Sequence, residues 1–302
     1  MCLLCDDCMK ISIHTTITNP RRWHFPYMAA LASFCDVADE VIVVDGGSTD
    51  GSIEEIEELS FDRGNKIKIV SLPWPDEYTN SELPKHLNAG LVACTGDWAI
   101  KTDIDYVFHE KDITDLQVRL RAFHKEHWMA ASMEKLLVIN KSRAFRKSKM
   151  PFIIHKSEVG DAMQYGIQMD VDPALDDWCY PIIPLRGKVN DEGVPMGSSL
   201  PIAAVKATGI DVWNYDYFFR TKEQAKECFA RTAAARRKSA GNEWGADDED
   251  SWKLFLQQTE GRMQKVFIPL EVKSHPKYIR ERVATLTSEQ YGYSNWGLCE
   301  TK

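Results

Sequence analysis

Asp103-x-Asp105 closes the segment Trp98-Ala-Ile-Lys-Thr-Asp-Ile-Asp105, an apolar run that ends on two carboxylates. Alternation along a strand end turns both acids to one side. Hard oxygen ligands of this kind suit Mg2+ or Mn2+, which bridges diphosphate oxygens and stabilises negative charge on a departing nucleoside diphosphate. A pair of solvated turn residues is the plainer alternative. A second motif about sixty residues upstream, Glu40-Val-Ile-Val-Val-Asp-Gly-Gly-Ser-Thr-Asp-Gly-Ser52, favours the metal. There Asp45 ends another apolar run beside Gly46 and Gly47, which let backbone approach a ligand closely. Its carboxylate is placed to accept hydrogen bonds from a base N–H or from ribose hydroxyls. Ser48, Thr49 and Asp50 look like the N-cap of the next helix.

The elements that must position these acids alternate. Lys10–Thr15 is strand-like, Phe25–Phe34 has helical spacing, and Glu40–Val44 is a short continuous apolar strand. A helix over Ser52–Leu59, a strand over Lys66–Ser71, a helix over Ser81–Cys94 and a strand over Trp98–Thr102 follow. An amphipathic helix (Asp115–Trp128) and a strand (Lys135–Ile139) complete the series. The pattern predicts an α/β fold, a three-layer α/β/α sandwich with a mostly parallel sheet. Ligands of such sheets sit beyond the carboxyl ends of the strands, where Thr15, Asp45, Asp103 and Asp105 fall.

The second half is less regular. Lys141, Arg143, Arg146, Lys147 and Lys149 form a basic cluster; Asp170, Asp172, Asp176 and Asp177 form an acidic one. Residues 181–201, rich in Pro and Gly, read as largely loop. An aromatic strand, Val212–Phe219, leads into a helix from Thr221 to Lys238, and the chain from Trp252 holds two helices and a short strand around Val266–Ile268. The expected organisation is a tail (1–9), a catalytic domain (10–220) with a donor half to about 110 and an acceptor half from about 111, and a mostly helical C-terminal extension (221–302).

With 44% hydrophobic and 27% charged residues in 302, the composition is that of a soluble globular chain. A net charge of −8 argues against a broad footprint on nucleic acid or an anionic membrane. No apolar run approaches the ~20 residues that span a bilayer, so no integral membrane association is expected. The first ten residues lack the basic start and long apolar core of a secretory leader. Eight cysteines are ordinary for a reduced, cytoplasmic enzyme. Cys2, Cys5 and Cys8 have metal-like spacing but no fourth ligand nearby, which favours free thiols.

In order, Thr15-x-x-x-Asn19, Val43-Val-Asp-Gly-Gly-Ser-Thr-Asp-Gly-Ser52, Lys85-x-x-Asn88-x-Gly90, Gly96-Asp-Trp98 and Asp103-x-Asp105 resemble the family 2 glycosyltransferases of the GT-A fold, over roughly residues 10–110. Members commonly read Asp-Asp-Gly-Ser-Thr-Asp, and Gly46 stands here in place of the second Asp. The resemblance implies a nucleotide-sugar donor, UDP-sugar favoured, and a Mn2+ or Mg2+ cofactor. Thr15 and Asn19 would lie near the nucleobase, Asp45 and Gly47 at the nucleoside, and Asp103 and Asp105 on ribose and metal. Lys85 and Asn88 would serve the sugar side or pack their helix. His275 is either a late metal ligand or a loop histidine capping the next helix. Inverting members use a carboxylate as general base. Asp191 has suitable spacing, with Asp177 as its rival, although Gly193-Val-Pro195 stands where a helix is expected. Trp213, Tyr215, Tyr217 and Phe218 either stack sugar or pack the core, and Arg220 is a candidate phosphate partner. His14 and His24 are structural or loop histidines.

A carbohydrate acceptor is expected, with a modified base in DNA as the less favoured acceptor. A nucleotidyltransferase on a similar sheet would show a Gly-rich loop after the first strand; here that stretch reads His14-Thr-Thr-Ile-Thr-Asn-Pro-Arg-Arg22. A non-catalytic sugar-nucleotide-binding module is opposed by the intact Asp103 and Asp105.

Overall fold

A computed structural model describes residues 9–75, 82–160, 163–168, 180–189, 193–240, 245–263, 267–287 and 292. Cys2, Cys5, Cys8, Asp177 and Asp191 lie outside the described residues. The first half alternates as its patterning requires: β1 (Ile11–Ile17), α1 (Tyr27–Val37), β2 (Glu40–Asp45), α2 (Ser52–Asp62), β3 (Ile67–Ser71), α3 (Glu82–Ala93) and β4 (Trp98–Lys101). All six residues of β2 are buried, the mark of a strand covered on both faces. Val41 and Val43 join Leu31 and Phe34 of α1 in one core, while Ile42 and Val44 meet Leu87 and Leu91 of α3 in another. Period-two alternation thus divides one apolar run between two helical layers. Each such side chain contributes about 1.5–3 kcal/mol on full burial.

β3, β2, β1 and β4 are parallel neighbours, in register from Ser12 opposite Glu40 to Ile17 opposite Asp45. Their carboxyl ends therefore emerge on one edge, which is where Asp45 and the 103–105 segment stand. Beyond β4 come β5 (Tyr106–Phe108), α4 (Ile113–Lys125), β6 (Ala130–Asn140), β7 (Arg143–His155), α5 (Lys156–Val159), β8 (Gln164–Gln168), β9 (Tyr180–Val189), β10 (Pro195–Ser199) and β11 (Val205–Asn214). The main sheet runs β3-β2-β1-β4-β7-β6-β11-β5. β7 is antiparallel to β4 and β6; β11 is parallel to β6 and antiparallel to β5.

Two sequence expectations change. Residues 181–201 hold β9 and β10, which close with β8 into a small three-stranded barrel. Its glycines permit this: a Cβ at Gly166 would overlap the carbonyl of Pro195, and one at Gly197 the carbonyl of Ile183. The aromatic strand stops at Asn214, and Tyr217, at φ 60°, turns the chain toward the next helix.

The remaining elements are α6 (Lys222–Ala240), α7 (Asp248–Met263), β12 (Ile268–Pro269) and α8 (Lys277–Thr285). Phe229 of α6 and Trp252 of α7 pack with Leu137, Ile139 and Phe145 of the β6–β7 hairpin. β12 pairs with β7, and Ile279 and Val283 of α8 lie in the core shared with α1. No helix among the described residues is long and apolar enough to cross a membrane.

At the opposite edge of the sheet a buried acid fastens three strands. The Glu40 carboxylate accepts hydrogen bonds from Ser12 Oγ (2.7 Å), Thr95 N–H (2.6 Å), Thr95 Oγ1 (2.7 Å) and Lys68 Nζ (2.7 Å). Burial alone would raise its pKa; these donors, with Lys68 foremost, hold it at about 2. A carboxyl depressed in the folded state stabilises above its ordinary value and loses that contribution as pH falls toward the folded value. Glu40→Gln is expected to lower stability at pH 7 by about 1–3 kcal/mol. The difference from wild type should shrink between pH 4.5 and about 2, as read by urea unfolding at stepped pH.

Candidate active site

β4 ends at Lys101, so Asp103 and Asp105 lie in the turn to β5 rather than on a continuing strand. The turn makes them unequal. Asp103 leaves 44% of its side chain exposed and accepts a hydrogen bond from Lys101 Nζ at 2.6 Å. Asp105 is 5% exposed, and its Oδ1 is buried without a hydrogen-bond partner. The backbone leaves Asp105 little freedom, because the Tyr215 N–H donates to its carbonyl (3.0 Å) and β5 is paired to β11, Tyr106 opposite Asn214.

That pairing brings a third acid to the site. Asp216, just past β11, is near enough to act on Asp105 through its charge. Its backbone N–H donates to Asn214 Oδ1 (2.8 Å), and its carboxylate faces Arg220 at 3.7 Å. Burial first, then the charges of Asp216 and Asp103, push the Asp105 carboxyl well above the ordinary range; Lys135 and Arg220 pull the other way. Burial would raise Asp103 too, but the Lys101 and Lys135 ammonium groups hold it well below the usual carboxylate range. Lys135, on β6, sits 4.9 Å over the Tyr106 ring.

The residues fit a divalent cation in one specific respect: Asp105 Oδ1 is a buried carboxyl oxygen with no hydrogen-bond partner among the described residues. Among the described residues no group of three or more His, Cys, Asp or Glu side chains is arranged as a metal cage. A cation here would have to complete its shell with water and ligand oxygens, as Mg2+ does on one or two carboxylates plus substrate phosphates.

The nucleoside edge is built from two stitched loops. The Asp45 carboxylate accepts from the N–H groups of Gly47 (3.2 Å) and Ser48 (3.0 Å) and from Ser48 Oγ (2.6 Å), closing its own turn with Gly47 at φ 92°. Asn19 donates its N–H to Ser48 Oγ (2.8 Å) and accepts the Thr49 N–H on Oδ1 (2.7 Å). Thr15 is fully buried within β1, its Oγ1 without a partner. Asp50 accepts the Ser52 N–H (3.1 Å), although Gly51 occupies the N-cap position.

Other expected residues have structural roles. Lys85 pairs with Glu82 of its own helix (2.6 Å). Asn88 donates to the carbonyl of Tyr165 (2.9 Å) and accepts its N–H (2.7 Å), clamping β8 to α3. The reading of His275 as a metal ligand is corrected: it is fully buried, with Nδ1 at 2.9 Å from Tyr215 Oη and Nε2 at 3.0 Å from the carbonyl of Lys141. Both ring nitrogens are thereby engaged. Trp213, Tyr215 and Phe218 are core residues, and Arg220 is buried, donating from Nε to the carbonyl of Trp23 (2.7 Å) beneath the Phe25 ring. His14 is enclosed and held neutral, its pKa lowered to about 3 by burial and then by Lys101 and Lys156.

Sequence reasoning missed Asp216, Lys135 and Lys101. Asp216 is hidden in an aromatic run and reaches the site only through the pairing of β11 with β5. The one local signal was Lys101, two positions before Asp103, whose Nζ reaches Asp103 Oδ1 at 2.6 Å.

Residues 29–149 match the family model of glycosyl transferase family 2. This segment is similar to that family. It runs from α1 into β7, includes Asp45, Asp103 and Asp105, bears out the resemblance carried by the motifs, and stops short of Asp216. No curated protein matches the chain. Among solved structures, S. aureus TarS aligns at 16% identity over 76% of this chain and 40% of that one, with a TM-score of 0.37. Mannosyltransferase PcManGT from Pyrobaculum calidifontis, in complex with GDP-Man and Mn2+, aligns at 12% identity over 91% of this chain and 68% of that one, with a TM-score of 0.42. Glucosyl-3-phosphoglycerate synthase from Mycobacterium tuberculosis aligns at 23% identity over 43% of this chain and 45% of that one, with a TM-score of 0.29. The match thus covers about two fifths of the length of TarS, and likenesses at this level bear on neither substrate nor mechanism.

An acid crowded by two others, with one buried oxygen unpartnered, is destabilising in the metal-free protein. Asp105→Asn is expected to raise the melting temperature in EDTA by a few degrees, at roughly 2–4 °C per kcal/mol for a chain of this size. The same variant should lose any Mn2+-induced rise. A lower melting temperature in EDTA would show that Asp105 is held by favourable contacts instead.

Proposed function

We propose that the protein is a metal-dependent glycosyltransferase that moves a sugar from a nucleotide-diphospho-sugar to an acceptor hydroxyl with inversion. UDP-sugars are the favoured donors and a carbohydrate the favoured acceptor, in a cytoplasmic setting. The observation that carries this reading is the buried, unpartnered oxygen of Asp105 beside Asp103, at the ligand-binding edge of a family 2 segment. Asn19, Asp45 and Gly47 form the nucleoside corner with Thr15 buried beneath it, and Asp103 and Asp105 are the residues that would hold Mn2+ or Mg2+. Bound there, the cation supplies neutralisation of the diphosphate leaving group.

The chain's own residues supply the rest. The turn closed by Asp45 presents its Gly46–Gly47 backbone to the nucleoside. Lys101 and Lys135 add positive charge along the diphosphate path, where burial strengthens each interaction. A carboxylate on the acceptor side takes the proton from the attacking hydroxyl. Asp216, whose charge reaches Asp105, is our candidate among the described residues; Asp191 and Asp177 are the candidates from resemblance.

Two assays test the reading. UDP-sugar hydrolysis with Mn2+ is expected in wild type and absent in Asp105→Ala. No hydrolysis together with no metal-dependent donor binding would sink the enzyme reading. The base is decided by Asn substitution at Asp216, Asp191 and Asp177. The true base retains donor binding and loses about two to four orders of magnitude in transfer, the usual range for this catalysis. If Asp216→Asn transfers sugar at the wild-type rate, Asp216 is excluded.

A further inference from the structure

Gly46, where the chain departs from the common Asp-Asp-Gly-Ser-Thr-Asp pattern, is matched by a compensating feature in space. A Cβ at residue 46 would overlap Nε1 and Cδ1 of the Trp74 indole. Trp74 reaches this position because β3 runs straight on past its end. The Leu72 N–H donates to the Asp45 carbonyl (2.9 Å) and the Trp74 N–H to the Gly46 carbonyl (3.1 Å), so the backbone after β3 stays laced to the turn after β2. Two contacts fix the indole. Its Nε1–H donates to Thr18 Oγ1, at the end of β1. One ring face stacks on His86 of α3, with centroids 3.5 Å apart and planes 20° apart. His86 is itself held between two backbone carbonyls, Glu82 O at 2.9 Å from Nδ1 and Leu72 O at 2.6 Å from Nε2.

The result is a rigid, half-buried aromatic surface at the carboxyl ends of β1, β2 and β3, one residue from the Asp45 carboxylate turn. A core tryptophan would be enclosed by apolar neighbours. This one is set among Thr18, Gly46 and His86 on the edge where open α/β sheets hold ligands. An aromatic ring gains its largest interaction with a flat π-system, and a nucleobase is one.

Resting on the donor reading above, we infer that Trp74 is the platform on which the donor's nucleobase stacks, and that Gly46 is required to seat it. The missing side chain at position 46 and the indole go together, because the ring edge occupies the space a Cβ would fill. Specificity would follow. A stacking wall accepts any base through its π-face, so the chain should tolerate both pyrimidine and purine nucleotides better than a site that reads base edges by hydrogen bonds.

The test is calorimetric binding of UDP, GDP and inorganic pyrophosphate, each with Mn2+, to the full chain. Trp74→Ala is expected to weaken UDP and GDP on the order of tenfold to a hundredfold, the effect of removing one base–aromatic stack. Pyrophosphate binding should change by less than about twofold, since no base is present. Trp74→Phe should retain most nucleotide affinity. Gly46→Ala should weaken nucleotides in wild type and cost less in a Trp74→Ala background, where only Thr18 Oγ1 still crowds the added Cβ. Trp74→Leu, which keeps apolar volume without a π-face, carries the test if the Ala variant loses its cooperative melting transition. Unchanged nucleotide affinity in Trp74→Ala, or an equal loss for pyrophosphate, overturns the proposal and leaves the donor reading intact. Failure of wild type to bind any of the three probes overturns both.

Discussion

The site depends on an electrostatic debt at Asp105: a carboxylate is held out of water, beside two others, with one oxygen unpartnered. Burying a carboxyl with an unpartnered oxygen is costly, and its raised pKa is the sign of that cost. It persists because the backbone around it is over-determined. β5 is locked to β11, and the residue after β11 donates to the Asp105 carbonyl. A site strained in this way is a place where sequence-level consistency yields to function.

The two halves of the sheet divide the work. Parallel strands β1 to β4 deliver the Asp45 turn, the Asn19 loop and the Asp103–Asp105 turn to one edge. The antiparallel and returning strands carry Lys135 and Asp216 back to the same place from far along the chain. Partial neutralisation by Lys101, Lys135 and Arg220 explains how three acids coexist there, and why Asp103 and Asp105 move in opposite directions from the ordinary carboxylate value. The asymmetry suits division of labour: one acid already ion-paired and half-exposed, one starved of a cation.

Legibility in the sequence followed the range of the interaction. The alternation of β1 to β4 with their helices is written in local periodicity, and the elements appear within a few residues of where that periodicity puts them. The Asp-x-Asp pair and the Asp45 turn were legible because an apolar strand ending in acid is a local pattern. Asp216 was not, since its partner strand lies more than a hundred positions away and aromatic neighbours mask it. β9 and β10 were read as loop because Pro and Gly usually break strands; in a tight barrel Gly is what allows backbones to touch. His275 misled for the converse reason: a His-Pro pair near a chain end says nothing of whether its ring nitrogens are already taken.

The central claim is that Asp105 is waiting for a cation. The most direct measurement is a calorimetric Mn2+ titration of the metal-free protein in the presence of UDP, compared with Asp105→Asn. The account predicts saturable one-site binding to wild type, with affinity lower by at least about tenfold in the variant. Equal Mn2+ affinity in the two proteins would contradict it.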